Sequence, residues 1–176
     1  MYISSKIFYK KKFLIYGMGK TGLSSFNYLK KNNKIVLYDD NKEIFKKKYL
    51  KKLFLDKNKI CKIKFDYIVI SPGINAKECN LKNYLERNSR KIITDLDIFY
   101  ANNLKNKIIT ITGTNGKSTT AKLLSLILKN QKIDVRLCGN IGDPILSQNK
   151  ISKKTLFIIE ASSYQIDYSK IFKTNF

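Results

Sequence analysis

Two glycine-rich turns, each lying between an apolar strand-like run and a helical pattern, constrain this chain more than any other feature. A strand that enters a helix through a glycine turn belongs to a parallel sheet whose crossovers are helical. The first turn is Gly17-Met18-Gly19-Lys20-Thr21-Gly22, which follows Phe13-Leu14-Ile15-Tyr16 and satisfies G-x-G-x-x-G. Its glycines permit a tight bend, close approach of backbone to a diphosphate, and close helix packing, and the helix amides then face the anion. Asp39 falls 17 residues after Gly22, at the end of the next apolar run, where a carboxylate can reach a ribose or base. By itself this motif suits NAD as readily as any other nucleotide diphosphate.

The second turn, Thr112-Gly113-Thr114-Asn115-Gly116-Lys117-Ser118-Thr119, follows the apolar run 107–111. Successive amides there can surround phosphate oxygens, Lys117 can neutralise β/γ charge, and the Ser118 hydroxyl can reach Mg²⁺. The spacing departs from G-x-x-x-x-G-K-[ST], because Ile111 stands five before Gly116. A third apolar run ends in Glu160, followed by Ala161-Ser162-Ser163-Tyr164-Gln165. A carboxylate at the tip of a strand beside a phosphate loop can take a Mg²⁺ coordination position, although a strand-end Glu is otherwise a solvated charge.

The remaining pattern agrees with an α/β chain. Strands are expected at 13–16, 35–38, 67–70, 91–93, 107–111, near 135 and at 156–160, with helices at 23–31, 76–87, 95–102, 118–129 and 143–148. The lysine-dense stretch 43–64 offers only a weak helix and a short strand. The polar stretch 102–105 suggests a boundary, giving a Rossmann-like parallel-sheet domain over 1–103 and a partial P-loop ATPase-type α/β domain over 104–176. Three strands with little helical cover form a poor domain, so the second unit reads as truncated, with apolar strand faces left open.

Composition removes other chemistries. The chain of 176 residues has no histidine, which excludes Ser-His-Asp triads and most catalytic zinc sites. Its net charge of +22 comes from 32 lysines and only three arginines, beside 25 isoleucines and 17 asparagines. All three abundant types have A+T-rich codons, and the lysines are dispersed, so the charge reads as solvated surface rather than a nucleic-acid site. Three cysteines without C-x-x-C spacing fit a reducing compartment. No signal or membrane segment is legible, and a cytoplasmic protein is the expectation.

These motifs together resemble the Mur ligase family, ATP-dependent amide-forming enzymes of peptidoglycan synthesis and cell-wall biogenesis. The short loop 112–119 is similar to that family's ATP loop and accounts for the Ile111 departure. Ser71-Pro72-Gly73-Ile74, Gly139-Asn140-Ile141-Gly142 and Glu160-Ala161-Ser162-Ser163-Tyr164-Gln165 are similar to the branch that joins D-glutamate to UDP-N-acetylmuramoyl-L-alanine. The resemblance implies that Lys20, Thr21, Asp39, Asp40, Ser71, Pro72, Gly73 and Asn140 hold the UDP substrate. It implies ATP at Gly113, Thr114, Asn115, Gly116, Lys117, Ser118 and Thr119, Mg²⁺ on Ser118 and Glu160, and catalytic roles for Lys117 and Glu160. A family histidine, a carbamylated lysine and the amino-acid-binding domain have no counterpart in these residues, so inactivity of the chain alone is expected. The alternative is a non-catalytic nucleotide-binding module that uses the first turn only.

Overall fold

The computed structural model of the chain describes residues 6–41, 43–44 and 50–176. A first parallel sheet contains β1 (Lys12–Tyr16), β2 (Lys34–Tyr38), β3 (Tyr67–Ile70) and β4 (Ile92–Ile93) in the order β2-β1-β3-β4. Register pairs Phe13 with both Ile35 and Tyr67, and Ile68 with Ile92. Successive side chains of a strand point to opposite faces. Phe13, Ile15, Leu37 and Val69 therefore enter one core cluster, while Leu14, Tyr16, Ile68 and Ile70 enter another. The second cluster is closed by Ile60 of α2 (Lys57–Ile60), Phe65, and Leu85 of α3 (Lys82–Arg87).

The second parallel sheet has β5 (Lys107–Ile111), β6 (Val135–Gly139) and β7 (Leu156–Glu160) in the order β5-β7-β6. Helix α5 (Lys117–Asn130) carries the chain from β5 to β6 and covers one face through Ala121, packed with Val135 and Ile158. The other face presents Ile108, Cys138, Phe157 and Ile159 to the same cluster that holds Phe13 and Ile15. Between the sheets lie α1 (Lys20–Leu29), α4 (Asp95–Asn102) and a single 3-10 turn, Ile145–Ser147. Phe99 meets Phe157 edge-on at 4.8 Å between centroids, and the Ser24 and Ser147 hydroxyls lie 3.0 Å apart.

Open apolar strand faces were the expectation for the second sheet, and the structure corrects it. Phe157, Ile158 and Ile159 are fully buried, because the first unit's α4 covers one face and α5 the other. The outer edge of β5 bonds the chain end, with the Asn175 amide donating to the Ile108 carbonyl and the Thr110 amide to that of Phe176, both at 2.9 Å. Exposed apolar surface lies instead on the outer side of α5, at Leu123, Leu126 and Ile127.

Three helix expectations also change. Helix α1 begins at Lys20, so the third glycine of the motif sits inside its first turn. Only 82–87 of the expected 76–87 is helical, since the Asn75 side chain accepts the Lys77 amide and donates to Glu78, a local bonding pattern that competes with helix. The 143–148 helix reduces to the turn Ile145–Ser147, because Pro144 is extended and the Asp143 carbonyl instead accepts the Gly139 amide. Within 43–64, α2 is capped by Asp56, and Phe54 bridges to Leu37; residues 42 and 45–49 lie outside the described residues.

Candidate nucleotide site between the two sheets

In open parallel sheets the crevice lies beyond the carboxyl ends of the strands, and both sheets here turn those ends toward one cleft. It encloses about 350 Å³ and is lined from the first unit by Lys20, Thr21, Asp39, Ser71, Pro72 and Gly73, and from the second by Asn140. Seven of the eight residues expected to hold the UDP substrate thus meet in one place. Asp40 does not join that wall. Its carboxylate accepts from the Tyr16 hydroxyl at 2.6 Å and from Asn80 at 2.9 Å, and burial followed by this bond raises the Tyr16 pKa.

The first turn is held shut by its own side chains. Asp39 accepts the Met18 amide at 2.6 Å and the Asn41 amide at 2.9 Å, so it braces the glycine turn while lining the cleft. Ser71 donates to the Gly17 carbonyl at 2.6 Å. At Gly22 a Cβ would lie 1.8 Å from the Gly17 carbonyl oxygen, which is why only glycine lets α1 approach the turn. Gly19 caps α1 without a side-chain bond, leaving first-turn amides available to an anion.

The second loop is exposed and lies at the start of α5, where Gly116 adopts a left-handed conformation with φ 75°. Lys117 folds back on the loop, donating to the Gly113 carbonyl at 2.6 Å and that of Thr114 at 3.1 Å. Ser118 donates to Glu160 at 2.6 Å, which brings the hydroxyl at the start of α5 to the carboxylate at the tip of β7. Two hard oxygen donors beside a phosphate loop fit Mg²⁺, which usually takes few protein ligands and completes its shell with phosphate and water. Among the described residues, no group of three or more His, Cys, Asp or Glu forms a metal cluster, so no all-protein cage competes with that arrangement. Thr112, Ser163 and Tyr164 line a shallow recess beside the loop.

Sequence reasoning named Gly139 and Gly142 only as parts of a motif and did not single out Pro144 as a cleft residue, nor Asp95, Asp97 or a partner for Gln165. The spacings Thr94-x-x-Asp97 and Ser162-x-x-Gln165, both capping patterns, were the available signal for the second group. Burial pushes the Asp95 carboxyl up to about 6, against the opposing bonds from Gln165 and helix amides. A carboxyl whose folded pKa lies above its unfolded value stabilises the fold at low pH and loses that contribution as pH rises between the two. Wild-type stability is therefore expected to fall relative to Asp95→Asn by about 2 kcal/mol from pH 4 to 6. Urea titrations at both pH values test it, and parallel pH profiles would contradict it. Burial also pushes the Cys138 thiol up to about 12, and all three cysteines are free.

A Rossmann-like sheet joined through a shared core to a phosphate-loop sheet defines the class of this protein. Family comparison agrees on both halves: the N-terminal domain model "Mur ligase MurD-like" matches residues 11–93, and the Mur ligase middle domain matches 111–176. The chain belongs to the Mur ligase family. It is 38% identical over 166 residues to UDP-N-acetylmuramoylalanine–D-glutamate ligase of Rickettsia prowazekii, covering 93% of this chain and 37% of that protein. The same-named protein of Caldicellulosiruptor bescii is 36% identical over 174 residues, covering 93% of this chain and 38% of its own length. The chain thus spans less than two fifths of the length of these relatives. In fold, it is similar to a solved UDP-N-acetylmuramate:L-alanyl-gamma-D-glutamyl-meso-diaminopimelate ligase from Neisseria meningitides, with TM-score 0.52 and 20% identity over 94% of this chain and 56% of the other. Among the described residues no helix is long and apolar enough to cross a membrane.

Proposed function

We propose that the chain supplies the nucleotide-holding units of a cytoplasmic ATP-dependent ligase that joins D-glutamate to UDP-N-acetylmuramoyl-L-alanine. In this reading residues 1–103 form the UDP-substrate unit and 104–176 part of the ATP-binding unit. The observation that carries it is the convergence of Lys20, Thr21, Asp39, Ser71-Pro72-Gly73 and Asn140 on one cleft, with the Lys117 loop and the Ser118–Glu160 pair on the same sheet ends. The 36–38% identity to proteins named for this reaction supports the same substrate pair.

The reaction class is phosphoryl transfer followed by acyl transfer. The substrate carboxylate oxygen takes the γ-phosphoryl of ATP, releasing ADP, and the D-glutamate amine then displaces phosphate from the acyl phosphate to leave an amide. Loop amides and Lys117 would hold the β/γ-phosphates, so Lys117 leaves the Gly113 and Thr114 carbonyls for the nucleotide. Ser118 and Glu160 would hold Mg²⁺, which neutralises charge on the transferred group. Lys20, Thr21 and the Ser71 turn would orient the UDP portion, with Asn140 near its phosphates.

Calorimetric titration with UDP-N-acetylmuramoyl-L-alanine and with NAD tests the first unit, and the UDP substrate is expected to bind more tightly. Tighter NAD binding would instead favour a dinucleotide module. Residues 1–176 by themselves are expected to form no amide even with every substrate present, since orienting the amine against the acyl phosphate is a large part of the barrier reduction and no site for that amine is seen among the described residues. Product formation above a Lys117→Ala control would overturn that expectation.

A further inference from the structure

The bonds made by the first turn of α4 point to a role beyond joining two units. Asp95 and Gln165 are each 2% exposed, and the Gln165 amide donates to the Asp95 carboxylate at 2.6 Å. At its other end Gln165 accepts the Ser162 amide at 3.4 Å, while the Gln165 amide N–H donates to the Ser162 hydroxyl at 3.2 Å. Ser162 is two residues past Glu160. The neighbouring Asp97 carboxylate accepts the successive amides of Lys170, Ile171 and Phe172 at 2.8–3.1 Å, and its second oxygen accepts the Thr94 amide. Two carboxylates of the first unit thereby hold the start and the exit of α6 (Ser163–Tyr168), the segment that follows the strand tip.

An apolar pair would serve simple adhesion at least as well, because burying a carboxylate costs desolvation that its bonds must offset. What an apolar pair lacks is direction: a carboxylate locked to an amide side chain fixes where that side chain, and the backbone it grips, can lie. We propose that Asp95 is a positioning residue that acts through Gln165 to fix the β7 tip, holding the Glu160 carboxylate against Ser118 in the geometry that receives the metal–nucleotide complex, with Asp97 bracing the far end of the same segment. The Glu160 backbone is tied on its other side by the Asn140 amide, which donates to the Glu160 carbonyl at 2.8 Å. The strand tip is thus held by a cleft residue on one side and by Asp95 and Gln165 on the other. This inference rests on reading Glu160 as the metal-facing carboxylate.

The test compares Asp95→Leu, Gln165→Leu and Asp95→Asn with the wild-type chain. The two leucine variants are expected to weaken ATP binding in Mg²⁺ about tenfold while leaving Mg²⁺-free ATP binding within about twofold, the scale of losing one hydrogen bond to a charged group. Amide exchange at Ser162 and Gln165 should quicken in both. Asp95→Asn keeps an oxygen that accepts from Gln165 and should restore both readouts, which a merely space-filling role would not require. Equal losses with and without Mg²⁺, or unchanged exchange at Ser162 and Gln165, would overturn the positioning role. A wild-type chain whose ATP affinity ignores Mg²⁺ would instead overturn the metal-facing reading of Glu160, and this inference with it.

Discussion

Lys117→Ala is expected to lower the affinity of the chain for ATP in Mg²⁺ by about 100-fold, the upper range for a lost hydrogen bond to a charged group. The loop carrying it is exposed, and its other means of holding a triphosphate are backbone amides and a helix terminus, which orient phosphate oxygens but carry only partial charge. Lys117 is the side chain in that loop that supplies a full positive charge. The alanine variant also loses the bonds to the Gly113 and Thr114 carbonyls, so the empty loop should become more mobile. Isothermal titration with and without a chelator is the measurement. Chelation should weaken both the wild-type chain and the variant, since Ser118 and Glu160 remain in place to hold Mg²⁺ on the phosphates. An affinity unaffected by either change would make the loop a structural turn.

Gly139→Ala is expected to cost about 4 kcal/mol of folding stability, combining backbone strain with overpacking. Gly139 ends β6 with φ 105°, and a Cβ there would lie 2.3 Å from the carbonyl oxygen of Glu160. Backbone on an adjacent strand cannot swing aside as a side chain would. Relief requires the tips of β6 and β7 to part, which also moves Asn140, bonded to that same carbonyl. Gly73→Ala is the control, because its Cβ would meet nothing within 4 Å and its φ is ordinary. Urea denaturation of both variants checks the contrast, and equal midpoints for Gly139→Ala and the wild-type chain would refute the steric argument.

The strands were readable because each is a short β-branched or aromatic run, and in a parallel sheet buried on both faces such a run needs no alternation to be seen. That property gave 67–70, 107–111 and 156–160 at the bounds the structure has. Helix limits were harder where side chains bond locally, as Asn75 does, or where proline holds an extended backbone, as Pro144 does. The glycine turns announced the cleft because their spacing is set by backbone clearance, a requirement visible in residue type alone. The direction of the Asp40 side chain was not legible: its partners Tyr16 and Asn80 come from strands and turns distant in sequence, and proximity to Asp39 says nothing about which way its carboxylate faces. The Asp95–Gln165 bond, 70 residues apart in the chain, was invisible for the same cause, although Gln165 stood in a recognisable capping pattern and Asp95 directly follows the cap Thr94.

One apolar cluster containing Phe13, Ile15 and Leu37 from the first sheet and Cys138, Phe157 and Ile159 from the second leaves no plane along which the two units can slide. Closely packed interiors transmit displacement rather than absorb it. The two cleft walls therefore behave as a single fixed jaw, and the described residues should unfold in one cooperative step instead of two. A ligand seated on the glycine turn of α1 is carried at a set distance from whatever occupies the loop of α5. Bringing the reacting groups together then depends on the length and flexibility of the bound substrate, not on bending at residues 103–106.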